Sequence, residues 1–493
     1  MMELRPYQLE VIAHLSAGFR AGHVRQMLCM ATGSGKTATA GEMIRRAAER
    51  GNRSLFVVER IELANQAVRH LQSLGLSVGV LQGENTNFSD LDEVVVASIQ
   101  TLSRRGVPDR VKLIVVDEAH IIHKAHENVL SKRNLVPVVG LSATPLREGL
   151  GRIYTNLVKG PRIADLVADG FLVPVQAFGP AQDKITAAVL GVGARRQPGG
   201  RDFIQGDLSK ALNRKELTGD IVSTWQAKAA GLPTLVFAVD IAHSRSIVDD
   251  FLAEGVAAEH VDGYAEENER RAIIDRFRSG ETLVLSSVHI LGIGFDVPAA
   301  ACAVLARPTL SLALHIQQCG RVMRPSAGKT HALVLDHAAN FARHGRPEDF
   351  DVEVLDDGEI GVRAKHNRPN ELSPCSNCGL LLERSRRECP SCGHERRRVA
   401  DVTTVDGELI EFGGGQRIRI DLDRCRFYLQ LRRVGIDRGW SPTAAAAQYR
   451  ERFGEWPPRA WNAINPIDPE PSTLRWVQSR MIAFSRRRTR QAV

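Results

Sequence analysis

The sequence predicts an α/β protein made of two parallel-sheet lobes in tandem, followed by a small four-cysteine ribbon and a basic C-terminal domain. Three observations lead there. Apolar, β-rich runs alternate with amphipathic helical patterns in two successive cycles, a glycine-rich phosphate loop opens the chemistry at Cys29–Thr37, and two Cys-x-x-Cys pairs stand after the second cycle.

Between Met1 and about Lys159 the strand-like runs are SLFVV, VVVAS, KLIVVD and PVVGLS, with a helical pattern through LANQAVRHLQSL. The second cycle runs from about Lys215 to His344. Its strands are TLVFAV, AEHVD, TLVLSS, AACAVLA and HALVLD, and its helices lie over HSRSIVDDFLAEG, ENERRAIIDRFRSG and around SLALHIQQCGRVM. Parallel strands joined by crossover helices are the simplest reading of that alternation. The expected domains are residues 1–160 and 215–345 for the two lobes, with a connector at 161–214, a linker at 346–372, the ribbon at 373–397 and a basic nucleic-acid-binding region at 398–493. Within the connector, VLGVGARRQPGGRDF is rich in Gly and Arg and reads as mobile; within the linker, DFDVEVLDDGE is acidic and unpatterned.

At 493 residues the chain is too long for one core. It has no run of 18 or more apolar residues, and MMELRPYQLEVIAHL has no secretory pattern, so a cytoplasmic protein is expected. The net charge of +8 is localised. Ser373–Val493 holds 22 Lys plus Arg against 14 Asp plus Glu, which leaves the preceding residues balanced at 43 against 43. The same quarter carries Trp440, Trp456, Trp461 and Trp476, four of the five tryptophans, and basic residues interleaved with aromatics suit a nucleic-acid partner.

In CMATGSGKT, glycines let backbone N–H groups approach phosphate oxygens, and a following helix adds its positive end. A lysine reaches the outer phosphates and a hydroxyl serves a magnesium ion. Gly33, Ser34, Gly35, Lys36 and Thr37 fit these roles for a nucleotide with Mg2+, a pattern shared by kinases, small GTPases, transporters and nucleic-acid motors. KLIVVDEAH then supplies two carboxylates where an apolar strand ends: Asp117 to hold the metal and Glu118 to activate the attacking water.

With DEAH spelled in full, the chain resembles the DEAD/DEAH-box superfamily 2 of nucleic-acid-stimulated ATPases, and Met30, where the general phosphate-loop pattern has glycine, agrees with the form common there. The resemblance implies two RecA-like lobes. RPYQ resembles the adenine-reading motif, giving Arg5 and Gln8 to the base; Ser142, Ala143, Thr144 and Pro145 match the SAT motif, which links the nucleotide to lobe movement. GFDVP at Gly294–Pro298 resembles the motif whose aspartate, here Asp296, meets the ribose. QQCGRVMR matches QxxGRxxR, with Gln317 in a coupling role. Arg321 and Arg324, three apart on an expected helix, would share a face and point together across a cleft. An arginine on the γ-phosphate contributes on the order of 10³ to 10⁵ in rate, and it acts only with the lobes closed, so nucleotide turnover drives relative motion.

The same resemblance implies strand contacts from Arg60, after SLFVV, and from Gln100 and Thr101, after VVVAS; ordinary helix capping is the competing use of each. Gly292 and Ile293 stand in LGIGFD where relatives read LTEGFD, so ATP hydrolysis is expected more firmly than vigorous unwinding.

Cys375 and Cys378 are separated by ten residues from Cys389 and Cys392, and each pair is followed by glycine. Four thiolates in two such knuckles make a closed structural Zn2+ site, which contributes roughly 10–16 kcal/mol in finger peptides. His394 stands beside the second pair as an alternative donor. Cys29, Cys302, Cys319 and Cys425 lack such spacing and read as packing residues. Arg384, Arg386, Arg387, Arg396, Arg397 and Arg398 interleave the ribbon, and SRRRTR lies near the end; YRERFGEWPPRAW reads equally as a stacking surface or as the core of a small helical domain.

The order RPYQ, ATGSGKT, DEAH, LVADGFLVP, LVLDHAANFARHG, four-cysteine ribbon and YRERFGEWPP resembles the RadD-like bacterial helicases. That resemblance implies a DNA-dependent ATPase serving repair or recombination on single-stranded or branched DNA, alongside a recombinase or single-strand-binding protein. Two rivals stand beside it: the motor subunit of a restriction or phage-defence system, and a zinc-anchored scaffold gated by ATP without unwinding.

Overall fold

A computed structural model of the chain describes residues 4–59, 61–83, 85, 87–121, 124–131, 135–179, 192, 194–197, 200–212, 215–288, 300–358, 372–383, 386–395, 422–441, 443–458, 461–462 and 464–491. The polypeptide divides into two compact units, Met1–Val399 and Ala400–Val493.

The first unit opens with a seven-stranded sheet. Its strands are β1 (Arg25–Cys29), β2 (Arg53–Val58), β3 (Val78–Leu81), β4 (Val94–Ser98), β5 (Val111–Val116), β6 (Val138–Ser142) and β7 (Asn156–Lys159), paired in the order β3-β4-β2-β5-β6-β1-β7. Every described pairing in it is parallel. Strands β2, β4 and β6 are buried along their whole length, as expected when helices cover both faces. Successive residues go to opposite faces: Phe56, Val96 and Leu141 join one core, while Leu55, Val95 and Val138 join the other. This topology puts β5, β6 and β1 side by side, so the loops after three separate motifs meet at one edge of the sheet.

The second lobe repeats the plan with six parallel strands. These are β8 (Val175–Phe178), β11 (Thr234–Phe237), β12 (Ala258–Val261), β13 (Val284–Ser287), β14 (Cys302–Leu305) and β15 (Ala332–Asp336), in the order β12-β13-β11-β14-β15-β8. Strand β8 comes from the stretch read as connector and forms the sheet edge. That stretch departs from expectation again at VLGVGARRQPGGRDF, where β9 (Ala194–Gln197) and β10 (Gly200–Phe203) form an antiparallel hairpin. The hairpin is tied to the lobe through Asp202, which is buried and accepts bonds from Arg307 (2.9 Å), the Thr309 hydroxyl (3.0 Å) and the Leu310 N–H (2.8 Å). These partners satisfy a carboxylate that would be costly to bury alone, and they fix the place of the hairpin against the lobe.

The segment after the second lobe, unpatterned in sequence, returns to the first. Leu355 is buried in a first-lobe core, Asp356 O accepts from Gly151 N (2.8 Å), and Asp351 pairs with Lys159 at 2.6 Å. The four-cysteine ribbon follows, with β16 (Leu372–Pro374) and β17 (Leu381–Glu383) antiparallel. It covers the exposed edge of the second sheet: Leu380 bridges Phe178 in antiparallel fashion, Gly179 N donates to Gly379 O (3.3 Å), and Leu380 and Leu382 share a core with Phe178.

The second unit contains helices Leu422–Asp437, Ala444–Phe453 and Pro471–Gln491. Its core collects Phe427, Tyr428, Tyr449 and Trp461, with Trp440 and Trp476 packed against them. Three of the four tail tryptophans are therefore packing residues. Trp456 differs: it is 56% exposed, with the Arg450 guanidinium 4.8 Å from its ring centroid. Among the described residues, no helix is long and apolar enough to cross a membrane.

Candidate nucleotide site at the seam of the two lobes

Strand β1 ends at Cys29, and the loop that follows turns through Gly33 (φ 84°) and Gly35 (φ 85°) into the helix Lys36–Ala48. Both glycines occupy the left-handed region, and a Cβ on Gly35 would sit 2.5 Å from the Gln8 Nε2. No side chain caps this helix, so its first N–H groups are left for an anion. Lys36 lies back along the loop, with Nζ 3.4 Å from Met30 O and 3.5 Å from Ala31 O, while Thr37 is exposed on the first turn.

RPYQ braces this loop from outside. The Gln8 amide donates to Ser34 O and Gly35 O (both 3.3 Å), and its Oε1 accepts from Arg5 N (2.8 Å). Tyr7, which sequence reasoning passed over, donates its hydroxyl to Ser34 O at 2.8 Å and accepts from Arg5 at 3.0 Å. Arg5 also lies 4.5 Å over the ring of Phe171, and Tyr7 meets that ring edge-on at 5.5 Å. The phrase LVADGFLVP held the signal, since its aromatic is followed by Leu172, which covers Gly33.

At the end of β5, Asp117 and Glu118 face the same loop. Burial and the adjacent Glu118 push the Asp117 carboxyl up to about 7, with Lys36 opposing them. Glu118 takes a positive φ of 46° and contacts His120 at 3.3 Å. The ring of His120 shares a 3.0 Å bond with the Ser142 hydroxyl, which also accepts from Thr144 N (3.0 Å), while Ser142 O accepts from Met30 N (3.0 Å). One serine thus connects the phosphate loop, the carboxylate strand and the SAT segment. The hydroxyl of Thr37 and the carboxylate of Asp117 are hard oxygen donors, and the crowding of Asp117 by Glu118 is what a divalent cation would relieve, so the residues fit Mg2+.

The second lobe closes over this face. Gly320 ends the helix Leu312–Gly320, and a Cβ there would lie 2.7 Å from Thr32 Cγ2. Gln317 is buried on that helix. The helix stops before the arginines, which corrects the shared-face expectation: Arg321 is its C-cap, and Arg324 lies beyond, ahead of Pro325, where a preceding residue leaves helical geometry. Tertiary contact brings the pair to the site instead. Arg324 Cγ and Nε lie 3.7 and 3.9 Å from where a Gly33 Cβ would be. Burial lowers the pKa of Arg321 and the Glu118 carboxylate opposes that, so Arg321 lies within electrostatic reach of the catalytic-base candidate.

Other predicted residues separate. Gln100 is exposed after β4. Thr101 is buried, its hydroxyl bonds Gly83 N (2.8 Å) and the Ser98 hydroxyl (2.8 Å), and its N–H is capped by Ser98 (3.3 Å), so the cap at this helix is Ser98. Arg60, Asp296, Arg384, Arg396, Arg397 and Arg398 lie outside the described residues.

The sulfurs of Cys375, Cys378, Cys389 and Cys392 lie within 4.8 Å of one another, with Cys375–Cys392 at 3.7 Å and Cys378–Cys389 at 3.6 Å. A tetrahedron with metal–sulfur bonds of about 2.3 Å has edges of about 3.8 Å, so the cluster fits zinc. Two matching knuckles build it: Gly379 N donates to Cys375 O (2.9 Å) and Gly393 N to Cys389 O (2.8 Å). His394 turns to the Ser376 hydroxyl at 2.9 Å. Burial pushes the Cys29 and Cys302 thiols up to about 12 and raises Cys319 and Cys425, as expected of packing residues.

Residues 1–147 match the family described as type III restriction enzyme, res subunit, and residues 217–326 match the helicase conserved C-terminal domain. A 51.5 kDa protein of a Lactococcus phage (isolate 7-9) is 29% identical over 369 residues, 74% of this chain and 76% of that protein. IRC3 of Saccharomyces cerevisiae, provisionally named an ATP-dependent helicase, is 32% identical over 358 residues, 68% of this chain and 51% of the relative; the chain spans about half the length of that yeast protein. A solved fragment provisionally assigned as the HsdR subunit of a type I restriction enzyme from Vibrio vulnificus YJ016 superposes with a TM-score of 0.55 at 20% identity, covering 72% of this chain and 67% of the fragment, a likeness of fold. With the first lobe matched to a restriction-enzyme res subunit, the second to a helicase C-terminal domain and the motifs in order along them, the chain belongs to the superfamily 2 helicases, the ATP-hydrolysing motors that act on nucleic acid.

Proposed function

We propose that this chain is an ATP-driven DNA translocase or helicase that works in DNA repair or recombination, on single-stranded or branched DNA. The observation that carries the motor reading is the approach of Arg324 to Gly33 across the seam, with Arg321 in reach of Glu118. In this reading Arg5 and Gln8 hold the adenine, Asp296 the ribose, and Gly33, Ser34, Gly35 and Lys36 the phosphates. Thr37 and Asp117 hold Mg2+, which supplies charge on the phosphate oxygens when bound. Glu118 orients and deprotonates the attacking water, while Arg321 and Arg324 stabilise the charge that develops on the transferred group. Ser142, Thr144 and Gln317 convey seam closure to the strand contacts, among which Arg60 and Gln100 are the first-lobe candidates.

Zinc on the four cysteines holds the ribbon against β8, and a thiolate site of this kind suits the reducing cytoplasm. In the second unit the exposed Trp456 beside Arg450 offers a platform for an unstacked base. A recombinase or single-strand-binding protein as partner rests on the RadD-like order of motifs. The match of residues 1–147 to a restriction-enzyme subunit favours a second reading, in which the same motor serves a restriction or phage-defence assembly.

The test is ATP hydrolysis measured with no polymer, single-stranded DNA, duplex DNA and RNA, with Lys36→Ala as control. A many-fold rise with single-stranded DNA that the variant abolishes is expected. Equal rates in all four conditions would overturn the motor and leave an ATP-gated scaffold.

A further inference from the structure

Past Arg324 the chain doubles back. Lys329 N donates to Ser326 O (3.1 Å), and Gly328, at φ 77°, takes the corner that an L-residue resists. The turn returns the Lys329 side chain toward the arginine segment, where its ammonium donates to Ala300 O (2.7 Å) and to Arg324 O (2.9 Å). Ala300 directly follows residues 289–299, which carry GFDVP, and leads into β14. The helix has already ended at Gly320, so the carbonyls beyond it find donors outside the helix: Met323 O accepts from Val173 N (2.8 Å), and Arg324 O accepts from the Lys329 side chain.

We infer that Lys329 is a positioning residue for ATP hydrolysis, joining the segment after GFDVP to the backbone of Arg324 so that this arginine is held ready for the γ-phosphate. The inference rests on the motor reading above. It supplies what the helix does not. A helical Arg324 would have its carbonyl satisfied within the helix; here a half-buried cation does that work from outside, next to a second cation. Burial and the facing Arg324 charge pull the Lys329 pKa down to about 8. Arg324 keeps its own charge throughout that range. Below pH 8 the ammonium makes charge-assisted bonds to both carbonyls; above it the neutral amine holds them less well, so turnover declines as pH rises through about 8.

The decisive comparison is binding of ADP against ADP with beryllium fluoride, a γ-phosphate mimic, to the full chain and to Lys329→Met and Lys329→Arg, together with kcat, KM and the pH profile. The methionine variant should lose about tenfold of the tightening that beryllium fluoride brings, with ADP affinity unchanged within about twofold, and should lose about tenfold in kcat with KM for ATP unchanged. The arginine variant should recover both quantities and remove the decline above pH 8. Retention of full tightening by Lys329→Met, or an arginine variant as impaired as the methionine one, would overturn the assignment. Binding separates this from the wider reading: a wild-type chain that tightens on beryllium fluoride yet shows no DNA-stimulated turnover counts against the motor, and the variant comparison still decides the role of Lys329.

Discussion

Replacing Gly320 by alanine places a carbon 2.7 Å from Thr32 Cγ2 and 2.8 Å from Thr32 Cβ. Ordinary carbon contacts are about 3.5–4.0 Å, so one side of the seam must withdraw by about 1 Å. Arg324 follows Gly320 by four residues on the same segment and moves with it. A misplacement of about 1 Å costs on the order of 100-fold in rate, against 10³ to 10⁵ for complete loss of an arginine finger. We therefore expect kcat for ATP hydrolysis with saturating single-stranded DNA to fall roughly 100-fold, about 2.7 kcal/mol. ADP affinity, set mainly by the first-lobe loop, should change less than about threefold, since removing a contact made only in the transition state affects kcat and not ground-state binding. Thr32→Gly deletes both clashing atoms, so the double variant should regain at least about tenfold relative to Gly320→Ala when each is compared with its own Thr32 background. Wild-type kcat in Gly320→Ala, or no coupling in the double variant, would refute a catalytic seam closed at this contact.

Further expectations concern stability and binding. The His315 ring is buried between Phe341 and His344, and burial holds its pKa down to about 3 from 6.5. Its contribution is complete above pH 6.5 and is lost as pH falls, because only the unfolded chain takes up the proton; at pH 5 the loss is about 2 kcal/mol, read as a urea-midpoint drop that His315→Gln diminishes. An equal drop in that variant would exclude the assignment. Cys389→Ser should leave less than one equivalent of zinc and lower the melting temperature by a few degrees as Leu380 and Leu382 loosen from Phe178; a full equivalent retained would contradict the four-cysteine site. Trp461→Ala should destabilise the second unit by about 3–5 kcal/mol. Trp456→Ala should leave stability within about 0.5 kcal/mol yet weaken single-stranded DNA binding by about 1–3 kcal/mol, measured by anisotropy.

Much of the nucleotide half was legible because its signals are local. A glycine loop before a helix, an acidic pair at a strand end and Cys-x-x-Cys-Gly knuckles are each recognisable within a few residues: Gly35 leads into a helix from the left-handed region, Asp117 is buried within reach of the Lys36 charge, and Cys375 belongs to the four-sulfur cluster. Thr101 was ambiguous for the same reason, since a hydroxyl just after a strand serves local bonds or a ligand equally well until its neighbours, here Gly83 and the N-cap Ser98, are known. Composition did not reveal the pairing of Ala194–Gln197 with Gly200–Phe203, because Asp202 finds its buried partners Arg307, Thr309 and Leu310 more than 100 residues away.

The amino-acid sequence by itself determined the class of fold, four strands of the first sheet and five of the second, and the loop, carboxylate and thiolate residues that stand together along the chain, since periodicity and spacing are properties of neighbouring residues. Only tertiary structure decided that β5, β6 and β1 adjoin, that β8 belongs to the second sheet and carries the ribbon, and that Arg324 reaches Gly33 from beyond the end of its helix. These arrangements come from parallel pairing and burial between segments far apart along the chain, where several partners satisfy the same local pattern and only the packed whole selects among them.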